Sequence, residues 1–186
     1  MSGNGPGAAS EPVELRPPDD GVRIRRALPR DVPGIDALVA DYAVDRILLP
    51  KELVGYYEDI QEFFVAEDVV SRQIVGCGAL HVMWHDLAEI RTLAVTPLRK
   101  GRGIGARLVR GLLERARELG LSRVFCLTFE VAFFKREGFH EIESTPVTPD
   151  VYAELLRSHD DGVAEFLDLA RVKPNTLGNT RMLIEL

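Results

Sequence analysis

Apolar positions along the chain follow two periods, and the switches between them mark out the elements. In Val22–Ala27 (VRIRRA) apolar and basic residues alternate, as in a half-buried first strand. Ile35, Leu38, Val39 and Tyr42 then fall on one face of a helix that Asp31 is placed to cap and that runs to about Val44. Pro50 is well placed to open a second helix over Lys51–Ile60. Phe63–Glu67 (FFVAE) and Gln73–Trp84 (QIVGCGALHVMW) read as paired strands, with Asp68–Arg72 as their turn. Ala88–Thr96 (AEIRTLAVT) is a further strand, closed by Pro97 and a Gly-rich loop. Gly103–Leu119 repeats Ile104, Leu108, Leu112, Leu113 and Ala116 at helical spacing, and Gly120 ends it. Arg123–Phe129 (RVFCLTF) is the continuous apolar run of a buried parallel strand. Val131–Glu137 is a short helix stopped by Gly138, and Phe139–Glu143 begins another strand. Asp150–Ser158 and Gly162–Leu169 read as helices, and Thr180–Leu186 (TRMLIEL) as a last strand.

This order predicts an α/β fold, a central mixed sheet with helices on both faces. The strand–loop–helix–strand unit from Ala88 to Phe129 is a right-handed crossover by the usual rule. No internal repeat or second boundary interrupts residues 22–186, and 186 residues suit one domain with one core. Residues 1–21, rich in Gly, Pro, Ser and acidic side chains, read as a disordered tail without the basic and apolar segments of a secretory signal. The chain is 46% hydrophobic and 28% charged, as in soluble globular proteins, and no apolar run reaches bilayer length. The expectation is therefore a cytoplasmic protein with no membrane partner. Cys77 and Cys126 lie inside apolar strand runs and read as buried small hydrophobes, not as a disulfide framework. A net charge of −6 argues against nucleic acid as a partner.

Against that acidic background Arg99, Lys100, Arg102, Arg107 and Arg110 crowd into one short stretch. A local basic patch suits a discrete anion, although a solvated helix face has the same composition. Within it, Lys100–Ala106 (KGRGIGA) enters a helix from a strand. Glycines there let backbone N–H groups approach a phosphate, and the helix dipole favours the negative charge. Three readings compete. Gly101, Gly103 and Ala106 match a dinucleotide fingerprint, but that motif follows the first strand through a tight turn, whereas this loop lies mid-chain behind Thr96–Lys100. A nucleotide-triphosphate loop requires Gly-Lys-Ser/Thr, which is absent. The third reading is a flexible helix start with no ligand.

Further residues carry a resemblance. AVTPLRKGRGIGARLVRGLL resembles the coenzyme-binding motif of the GNAT acetyltransferase superfamily, with its Arg/Gln-x-x-Gly-x-Gly/Ala core; Lys100 stands at the Arg/Gln position, and Gly103 and Gly105 are the two glycines. RVFCLTF and AFFKREGF follow at the right distance, the latter similar to the family's A-x-x-F-Y-x-x-x-G-F. The resemblance covers about Val22 to Leu186 and is most specific from Ala88 to Phe139. It implies a GNAT acyl-CoA N-acyltransferase-like fold and acetyl-CoA as co-substrate, with no metal. It also implies that the backbones of Leu93, Ala94 and Val95 bind pantetheine. The amides of Lys100, Gly101, Arg102, Gly103, Ile104, Gly105 and Ala106 would hold the pyrophosphate. ILLPKEL, EFFVAED, CGALHVMWHDLAEIRTLAV, LTFEVAFFKREGF and VKPNTLGNTRM resemble stand-alone bacterial amino-acid N-acetyltransferases of the N-acetylglutamate synthase type, without an amino-acid-kinase domain. That likeness implies L-glutamate or L-glutamine as acceptor and the first step of arginine biosynthesis.

Acetyl transfer needs a deprotonated amine, and an α-amino group with a reference pKa of about 8 is mostly protonated at neutral pH. Glu89 begins the strand before the loop, where several family members place a catalytic glutamate, and it is the expected base through water. Strand periodicity puts Arg91 on the same face, so an intra-strand ion pair is the alternative. The family's general-acid Tyr position holds Phe134, so that role is not carried over. A thiolate with a reference pKa of about 8.5 can leave without it, with Thr128 or water as weak substitutes. His81 and His85 invite a metal reading; in a strand four residues span about 13 Å, too far for one ion, and a turn before His85 would weaken that argument without supplying further ligands. To orient the substrate's carboxylates the candidates are Arg91, Lys51, Asn179 and Arg181; Asn179 also suits a turn after Gly178. Acetylation of another small amine or a protein amine stays open, as does a non-catalytic acetyl-CoA sensor. A homodimer is the base expectation for assembly.

Overall fold

A computed structural model describes residues 20–43, 52–158 and 179–186. Its strands are β1 (Val22–Arg26), β2 (Phe63–Asp68), β3 (Ile74–Val82), β4 (Leu87–Val95), β5 (Arg123–Thr128), β6 (His140–Glu141) and β7 (Thr180–Glu185). They form one sheet in the order β1-β2-β3-β4-β5-β7-β6. Every neighbouring pair is antiparallel except β4–β5. Parallel neighbours need a long crossover, and here it is helix α3 (Ile104–Glu118). The others are α1 (Val32–Ala43), α2 (Leu53–Glu58), α4 (Val131–Arg136) and α5 (Pro149–Leu155). Among the described residues no helix is long and apolar enough to cross a membrane.

Helices cover both faces, as the pattern predicts. On one face α3 buries Val109, Leu112, Leu113 and Ala116 against Leu80, Ala88, Ile90, Val124 and Cys126. On the other, Ile35, Leu38, Val39 and Tyr42 of α1 pack on Phe63, Val65, Cys77, Ala79 and Ala94. Gly78 sets how near α3 lies to the sheet: a Cβ there would stand 3.1 Å from both Leu112 Cδ1 and Leu93 Cδ1. Burying each Leu or Ile of that interface contributes about 1.5–3 kcal/mol.

Three local expectations are corrected. Asp31 closes a 3-10 turn, Pro29–Asp31, rather than capping α1. Its carboxylate accepts from the Leu28 amide at 2.8 Å and from Arg25. β3 stops at Val82 rather than Trp84, and the chain turns through Trp84 and Leu87, which exchange backbone hydrogen bonds, with His85 in that turn. α2 is shorter than its apolar run because a 3-10 turn, Ile60–Glu62, leads into β2. Residues 1–19, Pro50, Lys51 and the expected helix Gly162–Leu169 lie outside the described residues.

The β1–β2 edge carries a buried ionic cluster. Glu67, 2% exposed, accepts from Arg23 at 2.9 Å and Arg25 Nε at 2.8 Å, and pairs with Arg72 at 2.9 Å. Arg25 also forks onto both oxygens of Asp31, at 2.6 and 2.9 Å. Hydrogen bonds from Arg25 hold the Asp31 and Glu67 carboxyls below the usual carboxylate range. With folded-state values below the unfolded ones, their stabilisation is full above the ordinary carboxylate pKa and is lost as pH falls from there through the lowered folded-state values. The thermal midpoint should therefore drop as pH is lowered from about 5 towards 3. Glu67→Gln should cost roughly 2 kcal/mol or more at neutral pH, because it leaves arginines without their partner. It should also flatten the acid limb in thermal melts; an unchanged limb would show that the cluster does not govern acid stability.

Candidate active site

Pairing between β4 and β5 covers only Leu87–Arg123, Ala88–Val124 and Glu89–Phe125. Beyond Glu89 and Phe125 the two strands part, leaving a gap between Ile90–Val95 and Cys126–Thr128. On its other side β4 stays paired with β3, but the register shifts: Ala79 faces Arg91 whereas Cys77 faces Ala94. The extra residue sits at the bulge around Thr92, whose φ of 57° is left-handed. One added residue reverses the facing of all that follow, so Leu93 packs towards α3 and Ala94 towards α1. Thr92 O accepts from the Cys77 thiol at 3.4 Å, and Val95 O accepts from the Tyr42 hydroxyl. The segment Leu93–Val95, expected to meet a pantetheine arm, runs beside the gap.

After Val95 the chain passes through a 3-10 turn, Pro97–Arg99, into the glycine loop. Gly101 and Gly103 both have φ of 76°, and a Cβ on either would meet no atom within 4 Å. The loop backbone there is bordered by open space. Gly103 is the N-cap of α3 and has no side chain to satisfy the amides of the first turn. The basic cluster resolves into different duties. Arg99 bonds Asp68 at 2.5 Å, Arg107 bonds Asp20 and the Val22 carbonyl, and Arg110 bonds Glu137 at 3.3 Å. Lys100 lies 4.9 Å above the Tyr42 ring. Arg102 is exposed and makes no ion pair among the described residues. Lys100 and Arg102 are thus the cations left beside the open amides.

Glu89 is the last β4 residue paired with β5, and it is 5% exposed. Arg91 is on the same face, its side chain 10% exposed, with Nη2 3.3 Å from Glu62 Oε2 and 4.0 Å from Asp59 Oδ2. The other oxygen of Glu62 lies 2.8 Å from His81 Nδ1. The sequence offered no local signal for Glu62 or Asp59, which reach the site from the segment before β2. Tyr42, expected only as core, joins α1 to the end of β4. Thr128 is buried at the end of β5, and its Oγ1 accepts from the Glu130 amide at 2.9 Å, fixing the start of α4. Phe134 is core, edge-on to Phe133 and Phe139 with centroids 5.1 Å apart in each case. Arg181 faces Leu127 in the β5–β7 register, and its Nη1 bonds Glu143 O at 3.3 Å. Asn179 is half-buried just before β7, and Lys51 lies outside the described residues. His85 stacks edge-on to Trp84 and is separated from His81 by the turn. Among the described residues no group of three or more His, Cys, Asp or Glu could hold a metal ion.

Comparison with known proteins adds independent information. A family model described as the acetyltransferase (GNAT) family matches residues 35–139. A Mycobacterium tuberculosis protein named amino-acid acetyltransferase is 58% identical over 173 residues, 92% of this chain and 98% of that protein. A solved Mycobacterium tuberculosis structure in complex with CoA gives a TM-score of 0.83 at 59% identity, covering 88% of this chain and 99% of the other. N-acetylglutamate synthase from Neisseria gonorrhoeae, solved with coenzyme A and N-acetyl-glutamate, gives 0.69 at 26% identity. That match covers 89% of this chain but 35% of the synthase.

Both cysteines are buried, Cys126 on the β5 side of the gap and Cys77 on β3, across β4 from it. Burial pushes the Cys77 thiol up to about 12. Burial and then the Glu89 charge raise Cys126 well above the usual thiol range. At pH 8 the folded protein should therefore show no fast thiol with a disulfide reagent such as DTNB, and both should react once it is denatured. A rapidly reacting thiol in the folded protein would contradict this placement.

Proposed function

The chain belongs to the acetyltransferase (GNAT) family, and from that premise we propose that it transfers acetyl from acetyl-CoA to the α-amino group of L-glutamate or L-glutamine. The observation that carries the reading is the gap where β4 and β5 part, with the buried carboxylate of Glu89 at its apex and the open amides of the glycine loop at its far end. The 58% identity to an amino-acid acetyltransferase over nearly the whole of both chains supports the acceptor class. The likeness to N-acetylglutamate synthase supports a place at the first step of arginine biosynthesis.

In this reading the backbone from Lys100 to Ala106 receives the diphosphate, with charge from Lys100 and Arg102, and the amides of α3's first turn add their dipole. Leu93, Ala94 and Val95 line the pantetheine arm. Glu89 removes the amine's proton directly or through one water. Arg91 orients a substrate carboxylate, its guanidinium steadied by Glu62 and Asp59; Lys51, Asn179 and Arg181 complete the acceptor side. With Phe134 in the core, the thiolate leaves without a tyrosine acid, which its modest basicity allows.

Release of free CoA measured against a panel of amino acids, other small amines and peptides tests this directly. Turnover should be highest with L-glutamate or L-glutamine. Activity on peptides alone would overturn the acceptor, and acetyl-CoA binding without turnover on any amine would point to a sensor, the reading that Phe134 favours. For the donor site, Gly103→Val should cost about 1–3 kcal/mol for its left-handed backbone. The fold should survive because the space around Gly103 is open, while CoA affinity by calorimetry should fall at least tenfold. Unchanged affinity would refute the loop assignment.

A further inference from the structure

β3 and β4 keep a regular register from Ala79 to Val82, and it sets His81 directly opposite Glu89. Opposed side chains of an antiparallel pair share a face, with Cβ atoms about 5 Å apart. The imidazole is pinned from a third element: Nδ1 is 2.8 Å from Glu62 Oε1, on the turn leading into β2. The charged groups around it are Glu62, Glu89, Arg91 and, behind Arg91, Asp59. Exposure rises outward, from 5% for Glu89 to 19% for the His81 side chain and 24% for that of Glu62.

A base that accepts a proton at every turnover must shed it before the next, and Glu89 is buried away from bulk water. We propose that His81 is the proton outlet of this site, taking the amine's proton from Glu89 and releasing it to solvent. The proposal rests on the reading of Glu89 as the base. The substrate ammonium loses one proton to Glu89, and the freed nitrogen attacks the thioester carbonyl carbon. The C–N bond forms, and the C–S bond breaks with its electron pair going to sulfur. The second nitrogen proton goes to the CoA sulfur. The proton on Glu89 passes to Nε2 of His81 while Nδ1–H donates to Glu62, whose carboxylate stabilises the imidazolium until Nε2–H is lost to water. An imidazole can take a proton on one ring nitrogen and hold a hydrogen bond through the other, which suits a relay between a carboxylate and water. His81 thus acts through Glu89, as a proton-transfer and positioning residue.

The test is CoA release by the full chain with acetyl-CoA and either L-glutamine or L-glutamate, for wild type, His81→Ala, His81→Gln and Glu89→Gln. Assays are run in dilute buffer and with imidazole added. Both His81 variants should lose roughly tenfold or more in kcat with an unchanged KM for acetyl-CoA. In His81→Ala, kcat should recover in proportion to imidazole, a response that a purely structural role cannot give. Glu89→Gln should be slow and unresponsive to imidazole. Wild-type kcat in both His81 variants, or a loss in His81→Ala that imidazole leaves unrepaired, overturns the relay while a slow Glu89→Gln keeps the base. Wild-type turnover in Glu89→Gln removes the base and the relay together.

Discussion

Strands β4 and β5 run side by side for three paired residues and then separate, and the site is arranged around that separation. A parallel pair that continued would spend the β4 edge on β5 and close the sheet. Because pairing ends at Glu89 and Phe125, the edge beyond them is not taken up by β5. Buried backbone groups need partners, and a ligand with amide groups along its length can supply them. The bulge at Thr92 turns the same stretch of β4 and sends Leu93 and Ala94 to opposite cores, which fixes the strand although one neighbour has left it. At its far end the chain passes directly into the glycine loop. The gap and the open amides of α3 are therefore joined by one short stretch of chain.

Electrostatics organise the cluster proposed for the acceptor side. Glu62 holds His81 with one oxygen and Arg91 with the other, tying the turn before β2 to β3 and β4 at once. A carboxylate shared between an imidazole and a guanidinium keeps both side chains oriented. At the sheet edge, Glu67 and Asp31 do comparable work for Arg23, Arg25 and Arg72, but in a buried setting that serves the fold. The two central carboxylates differ in burial: the Glu62 side chain is 24% exposed and that of Glu67 only 3%.

Much of this was legible in the chain. The amphipathic repeat of α3, the apolar run of β5 and the alternation that puts Glu89 beside Arg91 are local patterns, and local patterns survive folding. The glycines of KGRGIGA marked a loop of unusual backbone, and Gly101 and Gly103 do have φ values that glycine adopts without strain. The bulge was not legible, since Thr92 is β-branched and gives no sign of a left-handed backbone. Glu62 and Asp59 were missed because their roles depend on partners far along the chain, on β3 and β4. Asp31 looked like a helix cap because its spacing is right, but Arg25 draws its carboxylate back to the edge strand. β3 looked longer than it is because the apolar run continues past Val82 to Trp84, where a turn intervenes. Phe134, which read as unable to serve as an acid, packs edge-on against Phe133 and Phe139.

The central claim is that the parting of β4 and β5 is the acetyl-donor cleft, and a crystal structure of the chain with acetyl-CoA tests it most directly. The account predicts the diphosphate on the backbone between Lys100 and Ala106, and the thioester in the gap between Ile90–Val95 and Cys126–Thr128, beside Glu89. A coenzyme bound elsewhere, or one whose thioester lies away from Glu89, would contradict it.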